Sequence, residues 1–214
     1  MNRIIWMFSA AMIAMASMAS AQSQRIGVTG GVNISNFNGI SNASTKNGSI
    51  IGGFIEYDLG GLAIQPEVLF SEKGAKGSTT VPFGSQQYTW TANYVEVPVL
   101  LKLDVLNLTI LPMNVDVYAG PDFAFNVSSH QEATDYGPPP IPVTVTTDEK
   151  SNTRPFDFNI AVGGGPNLDL GLMTVGAELR YTFGTGSAFK SGGTGMPFGN
   201  AKNGVWSIMA SVGF

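Results

Sequence analysis

Glu178 and Arg180 lie two residues apart in a segment, Leu172–Phe183, whose remaining positions alternate between apolar and polar. Residues two apart on a strand point to the same face, so a carboxylate and a guanidinium share one side. Glu56, Glu67, Glu96, Lys102 and Asp116 take the corresponding polar parity in other segments. Such a set can line a polar channel that conducts protons or binds a ligand. It can equally pair within itself and plug the space it faces. Carboxylates outnumber the two cations of the set, Lys102 and Arg180. Buried charge is tolerated when paired, so Arg180 is expected to be a hub that bridges at least two carboxylates.

Other chemistry is poorly supported. His130 is the sole histidine and stands near Ser128, Ser129 and Asp135. A Ser-His-Asp set needs a positioned base, and this stretch reads as a polar connection in which the imidazole is solvated. Gly163-Gly164-Gly165 has no following Lys-Ser/Thr and no strand–Gly–helix context, so it is not a phosphate loop. Those glycines relieve crowding or allow bending in a wall. Asp135, Asp148 and Glu149 lack EF-hand or zinc spacing. With zero cysteines, thiol chemistry, disulfides and lipoprotein acylation are excluded. No catalytic, cofactor-binding or metal-binding residue is expected, and the chain reads as non-enzymatic.

The elements that position the charges are strands. Eight segments carry strand patterning: Arg25–Asn36, Ser49–Asp58, Leu62–Glu72, Tyr88–Leu103, Asn114–Val127, Phe156–Leu168, Leu172–Phe183 and Val205–Phe214. The connections at Asp58–Gly61 and Asp169–Gly171 are tight, and Asp104–Met113 is intermediate. Phe37–Gly48, Lys73–Gln87, Ser128–Pro155 and Gly184–Asn203 are long and polar or rich in glycine or proline. Long and short connections alternate, as in outer-membrane barrels with short periplasmic turns and long external loops. Within the longest, Val143–Thr147 reads either as an external hairpin arm or as part of a mobile Pro-rich loop.

One face of each strand is nearly free of charge. Val175, Leu179 and Tyr181 oppose Glu178 and Arg180, and Val95, Val97, Val99 and Leu101 oppose Glu96 and Lys102. A soluble barrel would bury the apolar face, whereas a membrane barrel would turn it to lipid. The aromatics favour lipid. Phe70, Phe123, Phe125, Phe156, Phe158, Tyr181, Phe183 and Trp206 lie at strand ends beside long connections, with Tyr57 and Phe214 at the opposite ends. Two such girdles mark the two interfaces of a bilayer. Phe54, Tyr88 and Trp90 break the pattern by sharing parity with glutamates, which a bulge or a step above the membrane would explain. If eight strands close, the interior is just wide enough for side chains to fill, which favours the plug over the channel.

The chain ends agree with export. Residues 1–21 hold a positive start, an apolar run and Ala19-Ser20-Ala21, the three parts of a cleaved signal peptide. Residues 22–214 then form one barrel domain. The segment Gly204–Phe214 sets Trp206, Ile208, Ala210, Val212 and Phe214 on one parity. A bare edge of this kind invites pairing, so the last strand is expected to close on the first. Trp206 and Phe214 are candidates for the signal read by the outer-membrane assembly machinery. Net charge is −4 without a Lys/Arg cluster, so no nucleic-acid partner is expected.

Several segments carry a family resemblance. Ile26–Ser35, Pro66–Gly74, Tyr94-Val95-Glu96-Val97-Pro98-Val99-Leu100-Leu101-Lys102 and Tyr118-Ala119-Gly120-Pro121 resemble strands of PorT-like proteins, an outer-membrane β-barrel domain family. The resemblance covers nearly all of residues 22–214. It implies an all-β, eight-stranded, antiparallel, up-and-down OmpA-like barrel in a Gram-negative outer membrane, without a peptidoglycan-binding domain. It supplies no catalytic residues. The implied surroundings are outer-membrane lipid and lipopolysaccharide. The expected protein is a monomer with a structural or interaction role through its external loops. A narrow pore, a secretion-accessory barrel with an export partner, and a soluble periplasmic ligand-binding barrel are the rival readings.

Overall fold

The computed structural model describes residues 24–38, 43–81, 84–108, 112–136, 143–186 and 202–214. The segment read as a signal peptide, 1–21, and the prolines at 138–140 and 142 lie outside the described residues. Nine strands follow in order: β1 Gln24–Asn38, β2 Ala43–Asp58, β3 Leu62–Val81, β4 Gly84–Leu108, β5 Met113–Tyr136, β6 Val143–Asp148, β7 Phe156–Asp169, β8 Thr174–Gly184 and β9 Lys202–Gly213. Eight of them form a closed antiparallel ring, β1-β2-β3-β4-β5-β7-β8-β9 and back to β1. The ninth, β6, pairs with β5 along His130–Asp135 and projects as a hairpin arm.

The seam is continuous. β1 and β9 pair from Gly27↔Gly213 to Asn38↔Lys202. Ile26 and Phe214 exchange both backbone hydrogen bonds, at 3.0 and 2.8 Å. At this end of the barrel two connections use the same device. Asp58 Oδ1 accepts from Gly60 N–H at 2.7 Å, and Asp169 Oδ1 accepts from Gly171 N–H at 2.8 Å. Gly60, Gly61 and Gly171 have φ of 87°, 89° and 84°, a region that glycine enters without steric cost.

The wall is inside out relative to a soluble barrel. Ile26, Val28, Ile51, Val68, Leu101, Val117, Leu179 and Ile208 are exposed. Among the described residues, buried polar and charged side chains outnumber buried apolar ones. The long-loop girdle shows two aromatic clusters, one joining β5 to β7 and one joining β8 to β9. Phe123 meets Phe158 at 5.6 Å, Phe125 meets Phe156 at 5.4 Å, and Tyr181 contacts Phe183 at 6.1 Å and Trp206 at 4.7 Å between ring centroids.

Three sequence expectations are corrected. First, Lys73–Gln87 and Phe37–Gly48 are mostly strand, because β2, β3 and β4 continue past the lipid band. β3, β4 and β5 are 20, 25 and 24 residues long, against the ~9–11 that cross a bilayer. Second, most of Asp104–Met113 extends the β4–β5 hairpin at the short-turn end, with Leu108 paired to Met113. Third, Phe54 and Trp90 need neither bulge nor step. They are 7% and 0% exposed and turn into the lumen with their glutamate neighbours. The irregularity opposite β4 falls between Asn93 and Tyr94, and Trp90 keeps the parity of Glu96.

Backbone approach at the seam yields a test. A Cβ on Gly31 would stand 2.0 Å from Ile208 O, whereas on the adjacent, outward Gly30 the nearest atom is at 3.5 Å. Gly31→Ala should lower unfolding free energy by ~1–3 kcal/mol, the usual range for overpacking, and Gly30→Ala should leave it nearly unchanged. Urea unfolding of the micelle-embedded barrel, followed by tryptophan fluorescence, measures both.

Candidate functional site

The lumen gathers six of the seven predicted charged residues into one linked network and leaves the seventh, Glu96, in a separate pair. Arg180 on β8 reaches Glu67 on β3 with two parallel bonds, Nη1 to Oε2 at 2.7 Å and Nη2 to Oε1 at 2.9 Å. β3 and β8 are opposite in the ring: the path runs through β2, β1 and β9 one way and through β4, β5 and β7 the other. The fork therefore braces the full width of the barrel, and both side chains are almost wholly excluded from solvent, at 2% and 0%. Bidentate guanidinium–carboxylate pairs are strong and direction-specific. Arg180 Nη2 also contacts Glu178 at 3.4 Å. Its Nε–H donates to Tyr118 Oη at 3.0 Å, and the Tyr118 hydroxyl donates to Glu178 Oε2 at 2.5 Å.

Tyr118 is a member of the network that the sequence reading named only for its family resemblance. Gly163 explains how its ring fits. A Cβ there would come within 2.7 Å of the Tyr118 ring and hydroxyl. The first glycine of Gly163–Gly165 thus makes room for the phenol that bridges Arg180 and Glu178.

Toward the short-turn end, Lys102 on β4 takes Glu56 at 2.9 Å, Asp116 at 2.8 Å and Gln65 Oε1 at 3.1 Å. All three ammonium donors are used. Gln65 Nε2 donates to Glu67 Oε1 at 2.7 Å, which joins the Lys102 and Arg180 clusters. Arg25 adds a bond to Glu56 at 2.8 Å, and Asn167 one to Asp116 at 2.8 Å. Glu96 stands apart from these clusters. It pairs with buried Lys73, whose ammonium also lies 5.4 Å from the Tyr94 ring centroid.

Lys73 and the half-exposed Arg25 are thus inward cations absent from the sequence count, and buried Lys46, paired with Glu72, is a third. The parity of Glu67 and Ser71 reaches Lys73 unbroken, and that was the available signal. Among the outward candidates, Trp206 is 48% and Phe214 72% exposed. Trp206 is paired in register with Tyr181 and Ile34.

Two cavities sit near the short-turn end. One of about 20 Å³ is bordered by Phe54, Glu56, Lys102 and Glu178, and one of about 50 Å³ by Arg25, Asp58, Lys102 and Asn114. A water needs roughly 10–15 Å³, so each admits from one to a few. His130 lies on β5 opposite Asp148, not in a loop. The nearby hydroxyls are engaged, Ser128 by Asn93 at 3.0 Å and Ser129 by Asn126 at 2.9 Å. Among the described residues no three His or acidic side chains gather as a metal site.

Residues 20–190 match the family profile described as outer membrane protein beta-barrel domain. The chain belongs to this family. It is an integral outer-membrane barrel, and its apolar wall faces lipid. Several solved structures are similar in shape. Neisserial surface protein A (NspA) is 13% identical over 91% of this chain and 100% of its own, with a TM-score of 0.47. OprG from Pseudomonas aeruginosa is 10% identical over 90% and 97%, with 0.49. Ail of Yersinia pestis, solved with the heparin analogue sucrose octasulfate, is 10% identical over 90% and 99%, with 0.36. No curated protein sequence matches.

In this outer-membrane barrel, Arg180→Ala should cost roughly 3–5 kcal/mol, because fully buried Glu67 would lose its counter-charge. Lys102→Ala should cost less, since Arg25 still serves Glu56 and the Lys102 side chain is 13% exposed. Denaturant midpoints in micelles give both values. An unchanged midpoint for Arg180→Ala contradicts a hub role.

Proposed function

We propose that this outer-membrane barrel works without catalysis, as a closed monomeric scaffold whose extracellular strands make its contacts. The observation that carries this reading is the contrast between its two halves. The lumen is crossed by the Arg180–Glu67 brace, and the two cavities beside Lys102 are water-sized. Beyond the lipid band, β3, β4 and β5 extend as a ladder that ends in the β5–β6 arm. All six residues of β6 are exposed, and among the described residues β6 pairs only with β5, so its outer edge offers backbone donors and acceptors.

The arm is also tied to the barrel. Glu149 N–H donates to Ser129 O at 2.9 Å, and Glu149 O accepts from Asn152 and Thr153 N–H at 3.0 Å each. The connection after β6 is therefore structured, as a contact surface requires. On the same reading, outward Trp206 and Phe214 form the signal taken up by the assembly machinery during insertion. Outer-membrane lipid and lipopolysaccharide surround the wall. The finer placement among PorT-like barrels rests on Tyr94–Lys102 and Tyr118–Pro121, and a secretion-accessory role would follow from that placement alone.

Two measurements test the proposal. The purified barrel in planar bilayers should give no steady single-channel steps, and regular steps would favour a pore. Protease added to intact cells should cut within the β5–β6 arm and leave a barrel that still shifts in gel mobility on heating. Cleavage only after the outer membrane is permeabilised would place the arm on the wrong side.

A further inference from the structure

Asp122 on β5 and Asn159 on β7 are register partners in the lumen, and they are 1% and 0% exposed. Asn159 Nδ2 donates to Asp122 Oδ2 at 2.9 Å. The other oxygen of each group, Asp122 Oδ1 and Asn159 Oδ1, is buried without a hydrogen-bond partner. A carboxylate is acceptor-only, and so is an amide oxygen, so an ionised Asp122 satisfies neither atom. Each unmet buried group costs free energy comparable to a lost hydrogen bond.

One proton resolves both. Placed on Asp122 Oδ1, it converts an unmet acceptor into a donor, and Asn159 Oδ1 is the acceptor that lacks one. Acid and amide then form a cyclic pair with two hydrogen bonds. We infer that Asp122 and Asn159 form a buried proton-binding site in which Asp122 stands as the neutral acid.

The surrounding charges agree. Glu96 on β4 and Lys73 on β3 pair with each other. Arg180 on β8 is committed to Glu67 and Glu178. Tyr94 on β4 lies against Lys73, and Asp157 shares the inward face of β7 with Asn159. Pro98, the register partner of Asp122 on β4, presents a ring without a donor. The neighbouring cations thus already hold carboxylates, and a second ionised acid here would lack a counter-charge of its own.

Asp122→Asn tests the site, because the amide N–H replaces the acid O–H and preserves the cyclic pair without a proton. Its denaturant midpoint in micelles should match the wild type, while Glu96→Gln, which removes the partner of Lys73, should shift the midpoint down. An Asp122→Asn shift as large as that of Glu96→Gln would show that Asp122 is an ionised counter-charge and overturn the inference. The infrared spectrum supplies a test on the unaltered protein. The wild type should show a neutral carboxylic-acid carbonyl band that shifts on ¹³C-aspartate labelling and is missing from Asp122→Asn. Absence of that band overturns the inference and leaves a bound water or cation as the partner of the two oxygens.

Discussion

A charge inside a narrow closed barrel has only the opposite wall and its neighbours for company. Eight strands enclose a space that side chains just fill, so little water enters to solvate an ion. The Arg180–Glu67 fork answers this constraint across the full width of the ring, between strands that lie opposite each other. Gln65 and Lys102 carry the pairing toward the short-turn end, and Tyr118 and Glu178 take further donors of Arg180. In a soluble domain the interior would be apolar and the outside charged. Here lipid takes the apolar surface, and polar side chains must satisfy one another within.

The rest of the structure serves that interior. The β1–β9 seam closes the eight-stranded ring, without which the backbone would face hydrocarbon unpaired. The Asp-capped glycine turns keep β2–β3 and β7–β8 tightly connected at one end. This sets Glu56 and Glu67 on one pair of strands and Arg180 on the other. Gly163 yields its side-chain volume to the Tyr118 ring. The ladder of β3, β4 and β5 and its β6 arm continue from the same strands, so their footing depends on how rigidly the ring is braced.

How much of this the sequence disclosed depends on where lipid lies. Within the bilayer, every outward position must be apolar, so strands such as Phe156–Leu168 and Leu172–Phe183 announced both faces. Past the bilayer that demand ends. Lys73-Gly74-Ala75-Lys76-Gly77 therefore read as a loop although it is strand, and buried Lys73 was missed with it. Phe54 and Trp90 were ambiguous because an aromatic ring suits either a girdle or a lumen. Only the space left by neighbours decides, and that is a property of the closed ring. The partner of Arg180 was unreadable for a related reason. Arg180 and Glu67 are 113 residues apart, and the stagger of the strands around the barrel determines which inward charges share a level.

The central claim is that the interior is held by cross-lumen charge pairing. A double-mutant cycle on Arg180 and Glu67 tests it most directly, using Arg180→Met, Glu67→Met and the double variant unfolded by denaturant in micelles. Each single change leaves one buried ion without its partner, whereas the double change removes both. The account predicts that the double variant is more stable than the sum of the single losses allows, with a coupling of roughly 1–3 kcal/mol or more. Strictly additive losses would show that the two side chains do not brace the barrel and would contradict the account.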